Sequence, residues 1–493
     1  MKAYHLGILC CAALAGCSNS VSKNQEANHL SQLPEQKVAV HMQESMEPRQ
    51  AVLPPSGDTK RRSTLRSEDR SVGQGRSVPL GELLANALTY NSEIAKAAKS
   101  VDRASAQRMN AYLGYLPQVS LSYTADHLNE KILDSDNVVY QLGEAAYPVV
   151  TAGVTIEQPL FDLARLYGIS SASASRKKAE MDYISALAKV SGNVFETYLS
   201  ALQSKGRIKA LKKRSRLLAS QVSGEDTLQR TGLGDVARLA ALRSSNSDLA
   251  AEEALETASY ADALAALSRL TGTLVHDVEP VPVPKRLLGV ERTFDVNEAV
   301  ADSLSRNPEL IAAALALTSA NARARQAWAQ DFVPVIKGYY TYEDEDRSAS
   351  RFGGGSHTQD SRFGIQLSVP IFNVGGAGYG NMAASIDAQA SAIDYDAASR
   401  QLEIEIRSTY RRMSDLTAAL ADLDAAAAQA RSAHQAEQAK LRTGETTELA
   451  VAAREFDLSK ATEKTEFYRA EYLKHWGRLQ VLLGRDLFNM AET

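Results

Sequence analysis

Most of this 493-residue chain consists of two similar halves, which indicates an internal duplication. Five short sequences of the first half recur in the second half in the same order, at an offset that stays between 211 and 217 residues. Repetition at a fixed spacing is typical of proteins built from duplicated structural units. The pairs are LGELLANALTYNSEI (80–94) with VNEAVADSLSRNPEL (296–310), YLPQVSLSYT (115–124) with FVPVIKGYYT (332–341), EQPLFD (157–162) with SVPIFN (368–373), LQRTG (228–232) with KLRTG (440–444), and LTG (270–272) with LLG (482–484).

The duplication divides the chain into predicted segments. The first repeat is expected at 78–274 and the second at 290–484, joined by a proline-rich linker at 275–289. A short tail follows at 485–493. Residues 17–77 are polar and lack a steady apolar period, so we expect a flexible tether there.

Each repeat ends in a long stretch without proline, 160–279 and 371–493, which is rich in alanine and charged residues. Because proline breaks helices, this composition favours long helices, expected from about 161 to 230 and from about 374 to 442. Each would be roughly 100 Å long at 1.5 Å per residue. Apolar spacings of three and four residues predict coiled-coil packing. They are formed by Leu402, Ile406, Thr409, Met413, Leu416, Leu420, Leu423, Ala427 and Ala430, and by Ile184, Leu187, Ser191, Val194, Tyr198 and Ala201.

Each long stretch is interrupted once by the sequence Arg-Thr-Gly. Glycine is the usual residue just beyond a helix end, so each interruption predicts the tip of a helical hairpin. The candidate tip residues are Arg230, Thr231, Gly232, Asp235, Arg442, Thr443, Gly444, Glu445 and Glu448.

Four short stretches near prolines indicate β-strands: 119–125, 150–157, 335–342 and 362–369. Three of them alternate apolar and polar residues, while 335–342 is aromatic but alternates poorly. Alternation fits both a soluble sheet and tilted membrane strands. The polar stretches 127–147 and 343–361 are expected to be long loops. Four strands cannot close a membrane barrel, so membrane strands would have to be shared among several copies.

The turns from strand to long helix contain Pro159, Phe161, Pro370, Phe372, Gly375 and Gly376. The glycines of VPIFNVGGAGYG (369–380) also suggest a phosphate-binding loop. That alternative requires a βαβ unit or a GK[ST] sequence, and neither accompanies these glycines. We therefore interpret the glycines as a bend between strand and helix, where a backbone without side chains packs closely.

The first residues have the features of an exported protein. Residues 1–16 resemble a secretory signal peptide, with a basic residue followed by a short apolar stretch. They end in Leu-Ala-Gly before Cys17, which resembles the lipobox of bacterial lipoproteins and implies lipidation of Cys17. Ser18, rather than aspartate, implies delivery to the outer membrane. The rest of the sequence contains no run of 18 apolar residues, so it predicts no transmembrane helix.

Taken in order, the duplicated halves, the two strand-to-helix turns and the two Arg-Thr-Gly tips resemble the TolC family of outer-membrane channels. The resemblance covers 78–484 and implies a mainly α fold with a small β part, duplicated within the chain. It implies a homotrimer, in which four strands per chain form a twelve-stranded β-barrel and the long coiled-coil helices form an α-barrel crossing the periplasm. The protein would lie in the outer membrane, lipid-anchored, and extend into the periplasm.

The resemblance also implies partners. The helix tips would close the periplasmic end and would open when a periplasmic adaptor and an inner-membrane ABC or proton-driven transporter dock. The family's best-known member has an aspartate pair beyond the second tip, but Ala450 and Ala453 stand at the matching positions, so that anionic ring is not expected. The tip carboxylates either supply negative charge at the channel entrance in another arrangement, or they compensate the dipole at the start of the next helix. The tip arginines either complement a helix end or serve docking and gating.

The predicted function is an exit duct of an efflux pump or a type I secretion system. The alternative is a structural coiled-coil lipoprotein without a pore. No enzyme is expected, because the sequence contains neither HExxH nor GxSxG and its histidines are dispersed. No cofactor or metal is expected. With 55 Lys and Arg against 59 Asp and Glu, the chain has no basic bias toward nucleic acid.

Overall fold

The computed structural model of the chain describes residues 76–133, 143–232, 234–280, 295–348, 355–370, 379–485 and 487–488. The same order of two helices, two strands and two long helices occurs twice. The elements are β1 (Ser77–Val78), α1 (Leu80–Tyr90), α2 (Ser92–Leu113), β2 (Gln118–Ile132), β3 (Gly143–Phe161), α3 (Leu163–Arg230), α4 (Val236–Thr271), β4 (Asp277–Val278), α5 (Val296–Arg306), α6 (Pro308–Phe332), β5 (Val335–Arg347), β6 (Ser356–Ser368), α7 (Tyr379–Thr443) and α8 (Glu448–Leu482).

The long helices confirm the prediction from the proline-free stretches. Helix α3 has 68 residues and α7 has 65, which makes each about 100 Å long. Helix α3 begins two residues later than expected, because Asp162 caps it by accepting the Arg165 amide at 3.0 Å. The predicted start of α7 near 374 lies outside the described residues.

The four longer strands form one antiparallel sheet in the order β2-β3-β5-β6. The strands are 13 to 19 residues long, so the prediction of loops was wrong for 127–132, 143–147, 343–347 and 356–361. Residues 134–142 and 349–354 of the predicted loops lie outside the described residues. Polar cross-strand pairs continue the hairpins into these stretches, for example Lys131 with Glu144 at 2.8 Å. Polar composition there indicates exposure to water and is compatible with a complete hydrogen-bond ladder.

The described chain forms two compact units. The first contains the sheet and the helical segments within Ser100–Ala179 and Ala312–Tyr395. The second contains the described residues up to Lys99, Glu180–Ile311 and Asp396–Thr493, and therefore both helical hairpins.

None of the described helices is both long enough and apolar enough to cross a membrane.

In the second unit, the apolar stripe predicted for the coiled coil is largely buried. Ile406 and Met413 of α7 are at most 1% exposed, as are Val194 and Tyr198 of α3. Burial of such side chains stabilises the helices by about 1.5–3 kcal/mol each. The heptad pattern therefore reports packing, as expected.

The second unit also contains a hydrogen-bonded junction that occurs once in each repeat. The carboxamide oxygen of Asn91 accepts the amides of residues 93 and 94, while its Nδ2 donates to the Leu270 carbonyl at 2.8 Å. Asn307 repeats the arrangement with residues 309 and 310 and with the Leu482 carbonyl at 2.9 Å. Each asparagine thus begins one helix and fastens it to the end of another.

A glycine follows each of these helix ends. Gly272 (φ +69°) and Gly484 (φ +73°) adopt the left-handed conformation, as do the tip glycines Gly232 (φ +81°) and Gly444 (φ +76°). A Cβ on Gly272 would lie 2.7 Å from Cβ of Tyr90, and one on Gly484 would lie 3.0 Å from the Arg306 carbonyl. A Cβ on either tip glycine would meet nothing within 4 Å.

We predict that Gly272→Ala and Gly484→Ala lower the thermal unfolding midpoint more than Gly232→Ala and Gly444→Ala. All four substitutions incur the left-handed backbone cost of about 1–2 kcal/mol, but only the junction pair adds a steric clash. Calorimetry of the purified variants measures the difference. Equal midpoints for the junction and tip variants would contradict the packing described for the junctions.

Candidate functional site

The two faces of the four-stranded sheet differ in polarity. Directly paired residues lie on the same face, and Val119 pairs with Ile156, Ile156 with Tyr340, and Tyr340 with Phe363. This register collects the apolar alternate positions on one face. The set is Val119, Leu121, Tyr123 and Ala125 of β2, Val150, Ala152, Val154 and Ile156 of β3, Ile336, Gly338, Tyr340 and Tyr342 of β5, and Phe363, Ile365 and Leu367 of β6.

The apolar face is solvent-exposed at the outer strands of the isolated chain. Leu121 is 81% exposed on β2, and Phe363 is 86% exposed on β6. The opposite face is polar, and there Lys337 Nζ lies 3.2 Å from a carboxylate oxygen of Glu157. The pairing resolves the poor alternation of 335–342, since Lys337 and Tyr339 lie on the polar face beside the apolar positions.

The apolar segments are staggered from strand to strand. Val150 pairs with Asp346, but the apolar segment of β5 begins only at Tyr342, four residues nearer the helix-connected end. The apolar segment of β6 is displaced by a further two residues in the same direction, because Tyr342 pairs with Ser361 while the segment begins at Phe363. A level apolar band therefore requires strands tilted to it, as in membrane barrels.

Strands β2 and β6 form the two edges of this sheet. Each edge strand has at least 13 residues and presents a row of backbone donors and acceptors to its open side. Such long edges pair readily with another strand. Both edges are therefore suited to pairing with further strands.

The two helical hairpins end where the Arg-Thr-Gly sequences predicted. Helix α3 ends at Arg230 and α7 at Thr443. The Gly444 amide donates to the Leu441 carbonyl at 3.2 Å, and the next amide donates to the Lys440 carbonyl at 2.9 Å. These two bonds satisfy helix-end carbonyls and depend on the left-handed glycine.

The side chains of the predicted tip residues mostly complete helix ends. Asp235 caps α4 by accepting the Ala237 amide at 2.8 Å, and Glu448 is the first residue of α8. Arg230 is exposed and pairs with Asp226 at 2.6 Å, an ion pair that Arg243 of α4 joins at 3.1 Å. The hydroxyls of both tip threonines donate to carbonyls of the preceding turn. They are Thr231 to Leu228 at 2.8 Å and Thr443 to Lys440 at 3.0 Å.

Arg442, Gly444 and Glu445 are exposed at the second tip, and Thr231 and Gly232 at the first. The structure thus brings each repeat's tip residues together at one hairpin end. Among the turn residues, Phe161 ends β3, Pro159 lies at a register irregularity in β3, and exposed Pro370 follows β6. The remaining predicted residues lie outside the described part of the chain: Cys17, Phe372, Gly375 and Gly376.

Each hairpin tip is bridged by one glutamate, which the sequence analysis missed. Glu225 and Glu437 each stand seven residues before the tip glycine. Glu225 accepts the Asp235 amide at 3.0 Å, and Glu437 accepts the Thr446 hydroxyl at 2.5 Å. Each carboxylate joins the C-terminal part of one helix to the segment just before the next helix. The shared spacing from the glycine was the available signal.

The surroundings of Glu437 favour the ionised form of its carboxyl. The hydrogen bond from Thr446, followed by the charges of Lys440 and Arg454, lowers the pKa of its carboxyl below the ordinary value. Glu225 is buried and lies 3.5 Å from Arg238.

Farther along the second unit, arginines of α3 join the hairpins to one another. Arg207 contacts Glu252 and Glu256 of α4 at 3.7 and 3.6 Å, and Glu463 of α8 at 3.5 Å. Arg214 is buried, pairs with the same Glu463 and lies over the ring of Phe456, 5.9 Å from its centroid. Glu463 of α8 is thereby paired with two arginines of α3, which lie two helical turns apart.

Among the described residues, no cluster of His, Cys, Asp and Glu could hold a metal ion. What the described geometry provides is a two-faced sheet, two glycine-ended hairpins and inter-helix ion pairs.

Comparison with known proteins gives a consistent result. The model of the family described as outer membrane efflux protein matches residues 83–273 and 299–485, once for each half. The alkaline protease secretion protein AprF of Pseudomonas aeruginosa is 24% identical over 341 residues, which cover 69% of this chain and 70% of that protein. The outer membrane protein TolC of Vibrio cholerae is 20% identical over 375 residues, covering 75% and 82%.

The CmeC outer membrane channel of Campylobacter jejuni has a similar solved structure. Its TM-score is 0.67 at 17% identity, over 82% of this chain and 85% of that one. This likeness confirms the mainly helical, duplicated fold with a small sheet that the sequence predicted.

We predict that Glu437→Gln increases hydrogen exchange of the second tip at pH 7. A lowered pKa means that the ionised carboxylate stabilises the tip above pH 4.5, and that this stabilisation is lost as the pH falls through the lowered pKa. The difference between the variant and the wild type should therefore disappear as the pH falls through this lowered pKa. Mass spectrometry at matched pH measures the difference.

Glu445→Gln is the matched control, because Glu445 is an exposed carboxylate at the same tip. We expect it to leave the exchange unchanged. Identical exchange of the Glu437→Gln variant and the wild type at pH 7 would remove the stabilising role from this glutamate.

Proposed function

The chain belongs to the outer membrane efflux protein family, and from this premise we propose that it forms the outer-membrane exit duct of an efflux pump or a type I secretion system. Fold and family are those of channels rather than of enzymes. The observation that carries the proposal is the sheet with one apolar and one polar face. Such a sheet separates lipid from an aqueous interior.

The structural alternative, a coiled-coil lipoprotein without a pore, does not account for this sheet. A coiled-coil role does not explain why Leu121 and Phe363 are exposed on one face of long antiparallel strands. Moving that face from water into lipid stabilises the protein by about 25 cal/mol per Å² of apolar surface.

The duct is a homotrimer. Four strands with two open edges cannot lie in lipid, where each unpaired backbone group costs several kcal/mol. Joining edge β2 of one copy to edge β6 of the next closes the sheet, and three copies give twelve strands. The same three copies bring together the helical hairpins as an α-barrel in the periplasm.

The tips form the periplasmic end of the duct. Arg442 and Glu445 at the second tip, with Arg230 and Asp235 at the first, are exposed and available to a protein partner. We assign them to gating and to docking of a periplasmic adaptor, which connects the duct to an inner-membrane ABC or proton-driven transporter. Arg230 also has a structural role, because it forms an ion pair with Asp226 in the last turns of α3.

Names of relatives support both classes of cargo. AprF is named for secretion of alkaline protease, whereas the family carries the name of efflux. Genes adjacent to this one discriminate between them. An ABC transporter beside a large exported protein indicates secretion, and a proton-driven pump indicates efflux.

The duct is anchored to the outer membrane by lipid on Cys17. The support is the sequence before Cys17, which ends the predicted signal peptide of residues 1–16. Residues 17–77 then act as the tether to the first repeat.

We predict that the purified protein conducts ions in planar bilayers and migrates as a heat-modifiable oligomer from outer-membrane fractions. Leu121→Arg should abolish both properties, because arginine at the middle of the lipid face costs about 2–4 kcal/mol per copy. Ser122→Arg is the matched control on the polar face, and we expect an assembled channel with altered conductance. A wild-type protein that neither oligomerises nor conducts would exclude a duct.

We predict that Cys17→Ser prevents incorporation of labelled palmitate, while the duct still inserts. Lipidation requires the thiol, but insertion depends on the sheet. Radiolabelling in cells followed by membrane fractionation measures both. Label retained by the variant would place the lipid elsewhere.

A further inference from the structure

The polar face of the four-stranded sheet has more negative than positive charges. One row of this face consists of directly paired residues: Ser120, Thr155, Thr341 and Arg362. Every second residue of each strand, counted from this row, lies on the same face. Among the described residues, the face carries six carboxylates, three cations and no histidine. They are Asp126, Glu130, Glu157, Glu343, Glu345 and Asp360, with Lys337, Arg347 and Arg362.

Two of the three cations already have carboxylate partners on the same face. Lys337 Nζ lies 3.2 Å from a carboxylate oxygen of Glu157. Arg347 forms an ion pair with Glu345, two residues away on the same strand. Because each of these pairs is neutral, the net negative charge of the face belongs to the other carboxylates, which have one cation among them.

Two of these other carboxylates stand directly opposite each other. Glu343 of β5 and Asp360 of β6 are partners in the strand register, and both side chains are exposed. The described ion pairs of the sheet include neither of them. Like charges at directly opposite positions destabilise a sheet. A neutral or basic residue at either position would remove this repulsion, so the pair is not explained by stability.

The row that contains this pair leaves space for its side chains. It continues from Glu343 through Gly153 to Ser122. A Cβ on Gly153 would lie 3.6 Å from Cγ of Glu343 and 3.0 Å from Oγ of Ser122. The aliphatic part of Glu343 therefore lies over the backbone of Gly153, and its exposed carboxylate is directed to the open side of the face.

We propose that Glu343 and Asp360 make the duct selective for cations, because three copies place six such carboxylates in a ring on the inner surface of the barrel. The inference rests on the proposed trimeric duct, in which the polar face lines the aqueous interior. The carboxylates stay hydrated and act through their electrostatic field, so no ion has to be bound. Rings of acidic side chains are a general means of selecting cations in pores.

The sequence lacks acidic residues at another position where the resemblance would place such a ring. Ala450 and Ala453 occupy the positions of the aspartate pair beyond the second tip. We therefore assign the charge preference of this duct to the sheet.

The dimensions of a twelve-stranded barrel allow this ring to act across the whole interior. Strands about 4.8 Å apart and tilted by about 40° close into a barrel with a backbone radius of about 12 Å, which side chains narrow further. The Debye length is about 8 Å at physiological ionic strength, so the field of the ring extends to the barrel axis. In about 1 M salt the Debye length falls to about 3 Å, and the preference should weaken.

The first test is the reversal potential of the purified full-length protein in planar bilayers under a KCl gradient. We expect the wild type to prefer potassium over chloride. Glu343→Gln combined with Asp360→Asn should lower the permeability ratio at least about twofold. This double variant removes a repulsive pair, so we expect it to assemble as well as the wild type.

The matched control is Asp344→Asn combined with Asp346→Asn. These two carboxylates belong to the same strand, but they pair with Ala152 and Val150 on the opposite face. We expect the control to keep the permeability ratio of the wild type. An unchanged ratio in the Glu343 and Asp360 variant, or an equal fall in the control, would overturn the proposal.

Thiol modification gives a second measurement that does not require ion flow through the whole duct. Ser122→Cys places a thiol in the row of Glu343. In outer-membrane vesicles, a cationic methanethiosulfonate reagent should modify this thiol faster than an anionic one. The ratio of the two rates should fall at least about twofold when Glu343→Gln and Asp360→Asn are added. The chain without Ser122→Cys gives the background, and equal rates with both carboxylates present would contradict the proposal.

The two measurements distinguish failure of this inference from failure of the proposed function. A protein that conducts without cation preference retains the duct and loses the selective ring. A protein that does not conduct, and whose Ser122→Cys thiol reacts with neither water-soluble reagent, loses both.

Discussion

A backbone amide placed in lipid must be hydrogen-bonded within protein, because no water is available to it. This constraint decides what the four-stranded sheet can be. Its inner pairs, β2 with β3, β3 with β5 and β5 with β6, are satisfied within the chain, but its two edges are not. A membrane location for the exposed apolar face would therefore require assembly, because strands of further copies would have to pair with the two edges.

The sequence was informative wherever a single local rule decides the structure. Absence of proline and a heptad stripe located the long helices, and the Arg-Thr-Gly sequences located the hairpin ends at Gly232 and Gly444. It was wrong about 127–132, 143–147, 343–347 and 356–361, where polarity was interpreted as loop although these residues lie in strands. In a hairpin both faces can be hydrated while the ladder continues, so composition alone does not mark where a strand ends.

Sequence reasoning also missed contacts that join distant positions. The bond from Asn91 to the Leu270 carbonyl and the sharing of Glu463 by two arginines depend on which helix faces pack together. The repeat did contain a signal, because Asn91 and Asn307 are matched residues within matched segments. Without the fold, however, a shared asparagine cannot be assigned a partner. The roles of the tip residues in gating stay predictions.

The strands are longer than a lipid bilayer requires. The apolar segment of β3 occupies seven of its 19 residues, and β5 continues from Tyr342 into Glu343, Asp344, Glu345 and Asp346. Because the hydrogen-bond ladder continues through these positions, the four carboxylates of β5 stand at fixed spacing along the strand, where Glu345 pairs with Arg347 and Asp344 accepts a hydrogen bond from Gln359. The change from apolar to acidic residues along one continuous strand therefore marks a sharp boundary on the sheet, beyond which the charged side chains need water or a polar partner.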